Sequence, residues 1–154
     1  MSSKLHLVCE GQGLPIQMLL TGGQINEITQ ASFLLGQCQL QLTKGRPRLK
    51  PNMLIADKGY DSQPFRRWLS KRGVKATIAE RKLPEGSKRR RKGPKPTFDT
   101  QAYRQRNVIE RLYGRIKEYR RIATRFDKLD KVYLCLVTLG FIYIILKKHF
   151  SNTP

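Results

Sequence analysis

The chain has 154 residues, enough for one domain with a real core. Lys and Arg number 31 against 11 Asp and Glu, a formal charge of +20, which exceeds what solubility needs and predicts a polyanionic partner, nucleic acid ahead of an anionic membrane surface. Cys9, Cys38 and Cys135 have no C-x-x-C spacing, so they read as reduced packing residues of a cytosolic protein, and Ser2, Ser3, Lys4 and His6 interrupt any secretory apolar run at the start.

Residues 4–9 (KLHLVC) read as a strand and residues 14–21 (LPIQMLLT) as a second, with Gly11, Gln12 and Gly13 supplying a hairpin turn. Glu10 ends the first strand beside that turn, where a carboxylate is ordinarily solvent-exposed. His6 alternates with Leu5 and Leu7, which predicts a surface or satisfied histidine. Gly22 and Gly23 break the chain, and residues 25–35 read as a helix with a partly apolar face. Residues 43–51 form a basic loop with two prolines, either a solvated connection or a stretch that touches phosphates.

Residues 52–56 (NMLIA) are a short apolar run bounded by Pro51 and by Asp57, Lys58 and Gly59, the pattern of a buried central strand ending in a turn. Asp57 therefore sits at a strand's carboxyl end, where α/β proteins carry site residues. Asp61 or Ser62 is available to cap the next helix, Pro64 suits its first turn and Gly73 closes it. Phe65, Trp68 and Leu69 share one face toward the sheet, and residues 74–79 alternate as a further strand. Residues 80–96 are basic and rich in Gly and Pro. Their run Lys88, Arg89, Arg90, Arg91 and Lys92 predicts a loop that contacts phosphate, with affinity but little sequence information.

Residues 97–121 (TFDTQAYRQRNVIERLYGRIKEYRR) predict one amphipathic helix capped by Thr97, Asp99 or Thr100. At about 100° per residue, Val108, Ile109, Leu112, Ile116 and Tyr119 make a core-facing stripe. Tyr103, Arg106, Glu110 and Lys117 fall within about 60° of one another on the opposite side. On composition alone that row is a solvated face with an Arg106–Glu110 pair worth about 0.3–0.5 kcal/mol. Residues 132–146 are strongly apolar but shorter than the roughly 20 residues a spanning helix needs, which predicts a buried terminal helix rather than a membrane anchor.

The spacing Tyr-x2-Arg-x3-Glu-x6-Lys, met by Tyr103, Arg106, Glu110 and Lys117, resembles the Y-R-E-K signature of bacterial insertion-sequence transposases of the DDE class, in the insertion-sequence-four and -five superfamily. The flanking text IERLYGRIKEYRRIATRFDKL is similar too. ADKGYDS at 56–62 resembles the second catalytic motif of that family, and residues 4–24 its first. Together they cover the chain from Lys4 to about Lys147, with one departure: Glu10 stands where the family has Asp.

The resemblance implies an α/β, ribonuclease H-like mixed sheet with flanking helices, forming a single catalytic domain over 1–154 with a basic loop at 80–97. It implies catalysis and metal binding by Glu10, Asp57 and Glu110, with Mg²⁺ or Mn²⁺ as a pair of ions. Two such ions about 3.5–4 Å apart serve the attacking and leaving oxygens of an in-line displacement at phosphorus, and carboxylates are the hard ligands they prefer. Lys117, Arg106 and Tyr103 would meet DNA phosphates or an unpaired base.

The implied reaction is donor-strand cleavage followed by strand transfer. The implied partners are transposon ends and target DNA, with a homo-oligomer assembled on DNA and no membrane. The setting is cytoplasmic and nucleoid-associated. No end-recognition domain precedes the first strand, so a second-frame product with an upstream-frame DNA-binding partner, or a truncated remnant, is expected. The extra methylene of Glu10 displaces a carboxylate by about 1.5 Å, against the roughly 0.5 Å tolerance of a preorganised site, so weak strand transfer is expected as well.

Overall fold

A computed structural model describes residues 3–38, 50–81, 98–125 and 127–151. The run Lys88, Arg89, Arg90, Arg91 and Lys92 and most of the 43–51 loop lie outside the described residues. In chain order the elements are β1 (Ser3–Cys9), β2 (Pro15–Gly22), α1 (Glu27–Gly36), β3 (Met53–Ala56), a 3₁₀ turn (Lys58–Tyr60), α2 (Gln63–Lys71), β4 (Lys75–Ile78), α3 (Thr100–Arg104), α4 (Asn107–Lys117), α5 (Arg120–Thr124) and α6 (Asp130–Ser151). They fall into two compact units, one of Met1–Ile25 with Asn107–Pro154 and one of Asn26–Arg106.

In the first unit β1 and β2 pair antiparallel, with Leu7 opposite Met18 and a register shift between Val8 and Cys9. Strand alternation sends Leu5, Leu7 and Cys9 to one face, where with Met18 they pack on a cluster of Leu112, Ile116, Ile122, Val137, Phe141 and Ile144. His6 points the other way and is buried, with Nε2 2.8 Å from Thr21 Oγ1, so it is a satisfied histidine as expected. Gly13 holds φ +84°, a left-handed conformation that favours glycine, and an added Cβ there would lie 3.1 Å from both Arg115 and Val108.

The expected helix over 97–121 is interrupted. Gln105 N–H donates to Ala102 O and Arg106 N–H to Tyr103 O, both at 3.0 Å, and these i→i−3 bonds close α3 before α4 starts at Asn107. Tyr119 is extended (ψ 103°) and separates α4 from α5. The apolar stripe survives on α4, where Leu112 and Ile116 are 0% and 1% exposed. The row of Tyr103, Arg106, Glu110 and Lys117 is divided between α3, the turn after it and α4.

The terminal helix is also longer than its apolar run. α6 has 22 residues and, by length and composition, would suffice to cross a membrane. One face, including Val137, Gly140, Phe141 and Ile144, is core, whereas Leu139, Ile142, Tyr143 and Leu146 are exposed. Of the cysteines, Cys38 is buried, Cys9 half-buried and Cys135 exposed, and all three are free thiols.

In the second unit β3 and β4 pair in parallel, Met53 opposite Lys75 and Ala56 opposite Ile78, with α2 as the crossover between them. Parallel pairing requires such a crossover because a tight turn cannot return the chain in the same direction. Phe65 and Leu69 of α2 are buried as their spacing predicts, with Ala31, Leu34 and Leu35 of α1 and Val74 and Ile78. Trp68 is half-buried, its ring stacked on Phe65 and covered by the Arg72 guanidinium 3.9 Å away. The mixed α/β class therefore holds, in two two-stranded sheets among the described residues.

Gly140 is tightly packed in the first unit, because a Cβ there would lie 2.5 Å from Ile116 Cδ1 and 3.0 Å from Ile122 Cδ1. Gly140→Val is expected to lose about 1–3 kcal/mol through overpacking. Leu139→Ala, on the exposed face, should stay within about 0.5 kcal/mol of wild type. Urea unfolding followed by circular dichroism measures both, and equal midpoints for the two variants would contradict the packing described.

Candidate functional site

Asp57 follows β3 and caps the 3₁₀ turn: its Oδ1 accepts from Gly59 N–H at 2.8 Å. The backbone closes the same turn, Tyr60 N–H donating to Asp57 O (3.1 Å) and Asp61 N–H to Lys58 O (3.2 Å). A Cβ on Gly59 would stand 2.9 Å from Asp57 Oδ1, so the absence of a side chain there is what admits the carboxylate. No described residue donates a hydrogen bond to Asp57 Oδ2. Asp57 also differs from the other aspartates: Asp61, Asp99, Asp127 and Asp130 each pair with an Arg or Lys at 2.6–3.3 Å.

Tyr60 and Glu27 were not indicated by sequence. The Tyr60 phenol is pushed up to about 12, chiefly by burial, then by the charges of Glu27 and Asp57 and a hydrogen bond to Glu27. Asp99 caps α3 by accepting from Ala102 N–H at 2.9 Å. That bond first, and the 3.3 Å contact with Lys75 next, hold its carboxyl below the usual range. In the same unit Tyr103 packs on Phe98 with ring centroids 5.0 Å apart, and the Arg106 guanidinium lies 5.8 Å from the Tyr103 ring.

Glu10, Glu110 and Lys117 belong to the first unit. Glu10 turns its carboxylate into the hairpin, Oε1 accepting from Leu14 N–H at 3.0 Å, while the Glu10 and Leu14 backbones also bond (2.9 Å). The turn is fastened from outside: Arg115 of α4 donates to Gly13 O at 3.0 Å and Lys148 of α6 to Gln12 O at 3.1 Å. Burial, reinforced by the neighbouring Glu10 charge, pushes the Cys9 thiol up, and Arg115 opposes it. Glu110 lies exposed in the first turn of α4, where a carboxylate suits the positive end of the helix dipole, and Lys117 lies exposed in the last turn.

Among the described residues no three His, Cys, Asp or Glu side chains gather into a group that could hold a metal ion. The acids suited to one are carboxylates on separate elements, two in the first unit and Asp57 in the second. Arg115, Tyr60 and Glu27 are positions that spacing did not single out. Only the Asp57-x-Gly59 step carried a readable signal, an aspartate two residues before a glycine, which favours a side-chain-capped turn.

Over residues 1–145 the chain matches the Transposase DDE domain family, and it belongs to that family. A relative from Burkholderia cepacia, named as a transposase for insertion sequence element IS402, is 30% identical over 139 residues, covering 90% of this chain and 60% of the relative. A second, from Brucella ovis and named as a transposase for insertion sequence element IS6501, is 32% identical over 147 residues, 96% of this chain and 100% of the relative. The chain thus spans 60% of the length of the first relative and all of the second. No solved structure matches.

Tyr60 supplies a pH test. Its acid form is favoured in the fold, so its contribution to stability is complete below the unfolded value near 10 and is lost as pH rises toward about 12. Unfolding free energy of the wild type should fall across that window, and Tyr60→Phe should fall less steeply. Urea titrations at the two ends of the window compare the slopes; parallel slopes would show that the Tyr60 phenol is not held neutral by the fold.

Proposed function

We propose that this chain is the catalytic part of an insertion-sequence transposase, a metal-dependent enzyme that cleaves and joins DNA strands, with Glu10, Asp57 and Glu110 as its carboxylates. The carrying observation is Asp57: an aspartate at the carboxyl end of a strand, in a chain of the Transposase DDE domain family, with one oxygen fixed by Gly59 and the other unclaimed by any described residue. The donors are all carboxylate oxygens, which fits Mg²⁺ or Mn²⁺ in kind. When bound, such ions polarise the scissile phosphate and lower the pKa of an attacking oxygen. On this reading the fold is ribonuclease H-like.

The protein's own groups have distinct tasks in this reading. The Gly59 cap orients Asp57, so that its carboxylate need not be ordered when substrate arrives. Glu110 stands on a helix whose opposite face is packed into core, so its direction is set by Leu112 and Ile116. Lys117 and Arg106 neutralise DNA phosphates, Tyr103 hydrogen-bonds a phosphate or stacks on an unpaired base, and Lys88, Arg89, Arg90, Arg91 and Lys92 add non-specific affinity. The DNA partners are element ends and target, bound by a homo-oligomer in the cytoplasm at the nucleoid.

Glu10 argues for weakened catalysis. Its Oε1 is occupied by Leu14 N–H, and the longer side chain makes that return to the backbone possible. A second reading, a DNA-binding remnant without chemistry, draws on the same bond and on the absence of a three-acid group among the described residues.

Supercoiled-plasmid nicking with Mg²⁺ or Mn²⁺ separates the two. Glu10→Asp is expected to raise nicking by about tenfold or more, the scale of restoring correct ligand placement. Asp57→Ala and Glu110→Gln in that background should return it to the uncatalysed level. Nicking that ignores all three substitutions would leave only the DNA-binding reading.

A further inference from the structure

Among the described acids only Asp61 is buried, its side chain 2% exposed. Both of its oxygens are committed within the second unit. Oδ1 accepts from Arg66 Nε at 3.0 Å and Oδ2 from the backbone N–H of Arg81 at 2.9 Å. Arg66 in turn donates from Nη2 to Ile78 O at 2.8 Å. One ion pair therefore fastens three stretches: the turn after β3, the first turns of α2, and the chain leaving β4.

Stability alone does not call for this arrangement. A buried ion pair is often matched or bettered by apolar residues of similar volume, because desolvation offsets its attraction. What hydrogen-bonded charges do supply is direction. Ser62, at the N-cap of α2, makes no side-chain cap bond, so the entry to the helix is held by the Asp61 bonds to Arg66 and the Arg81 backbone instead of by a Ser62 cap. Asp61 lies in the same turn as Asp57, and its own N–H closes that turn on Lys58 O. At the other side of the turn, the Tyr60 phenol is tied to Glu27.

We propose that Asp61 is the positioning residue for Asp57. Through Arg66 and the Arg81 backbone it fixes the turn, so that Asp57 keeps Oδ1 on Gly59 N–H and presents Oδ2 to a divalent cation. The inference rests on Asp57 being a cation-holding carboxylate, as in the proposed function. Arg66 has a share in it, because its guanidinium reaches Asp61 and Ile78 O at once, which a lysine ammonium cannot do with the same planar geometry.

The test uses the full chain and the variants Asp61→Asn, Arg66→Lys and Asp57→Ala, each measured well below its own melting midpoint. Mn²⁺ binding is read by electron paramagnetic resonance and plasmid nicking by initial rates against DNA concentration. Asp61→Asn and Arg66→Lys should bind Mn²⁺ about 10–100-fold more weakly and lose kcat in similar measure, with KM for plasmid changed by less than about twofold.

A folded variant with wild-type Mn²⁺ affinity and kcat overturns the positioning role. If Asp61→Asn does not fold, Arg66→Lys decides by the same two outcomes. Failure of both to fold also overturns the proposal, since a purely architectural pair explains it. If Asp57→Ala binds Mn²⁺ like wild type, the proposed function itself falls. If Asp57→Ala loses Mn²⁺ while Asp61→Asn keeps it, only the positioning role falls.

Discussion

Exclusion of Leu112 and Ile116 from water is the constraint on which the first unit is built. They stand one turn apart on α4, at 0% and 1% exposure, and meet side chains from the hairpin, α5 and α6. Full burial of such a side chain is worth about 1.5–3 kcal/mol, so the two anchor the helix against rotation about its axis. The polar fastenings then act on an orientation already chosen: Tyr113 donates from its hydroxyl to Leu5 O at 2.7 Å, and Arg115 reaches Gly13 O. With that stripe turned inward, Glu110 is turned outward. The direction of a carboxylate follows from where Leu112 and Ile116 of its helix go.

The second unit divides the same work differently. Leu69 and Ile78, each 1% exposed, hold α2 onto the parallel strand pair. Apolar contact of that kind is non-directional, and it leaves the turn after β3 undetermined. Hydrogen bonds specify the turn: Gly59 N–H on Asp57, the Asp61–Arg66 pair, and the Tyr60 phenol at Glu27. Burial gives the unit its layers, and a few charged or polar groups decide which way the strand end faces.

Much of this was legible in the sequence because the relevant signals are local. Strand alternation around Leu5 and Leu7, the apolar run before Asp57, and the Phe65 and Leu69 spacing all report a face that must be buried, and each element formed. The break after Arg104 was not legible. Residues 97–121 contain no proline, and their one glycine lies beyond the break, so periodicity favoured a single helix. Two i→i−3 bonds at Gln105 and Arg106, which no composition rule forbids, ended it. Of the two candidate caps of α2, Ser62 takes the N-cap position, and the role of Asp61 was hidden for a related reason. An acid beside Ser62 and Pro64 resembles a helix cap, and its actual partners, Arg66 and the backbone of Arg81, include one 20 residues away that spacing does not reveal. The family motifs single out Glu10, Asp57 and Glu110 as the proposed carboxylates, but the capture of Glu10 by Leu14 N–H depends on the turn geometry set by Gly13.

The charge imbalance sharpens what is unusual about Asp57. In a chain with 31 Lys and Arg against 11 Asp and Glu, an acid finds a basic neighbour easily, and four of the five aspartates have one. Asp57 has a backbone N–H in place of a guanidinium or ammonium, and no described cation lies on its second oxygen. An exposed ion pair contributes little, about 0–1 kcal/mol, so stability would hardly have prevented one from forming here. What distinguishes the position is local backbone: the turn faces Gly59 N–H toward the carboxylate and leaves no room for a side chain beside it. On the proposed function, a carboxylate oxygen that no described cation pairs is the kind of ligand a small divalent ion would take. A lysine on Oδ2 would add almost nothing to the fold, so the oxygen that no described residue claims is the one on which the proposed function turns.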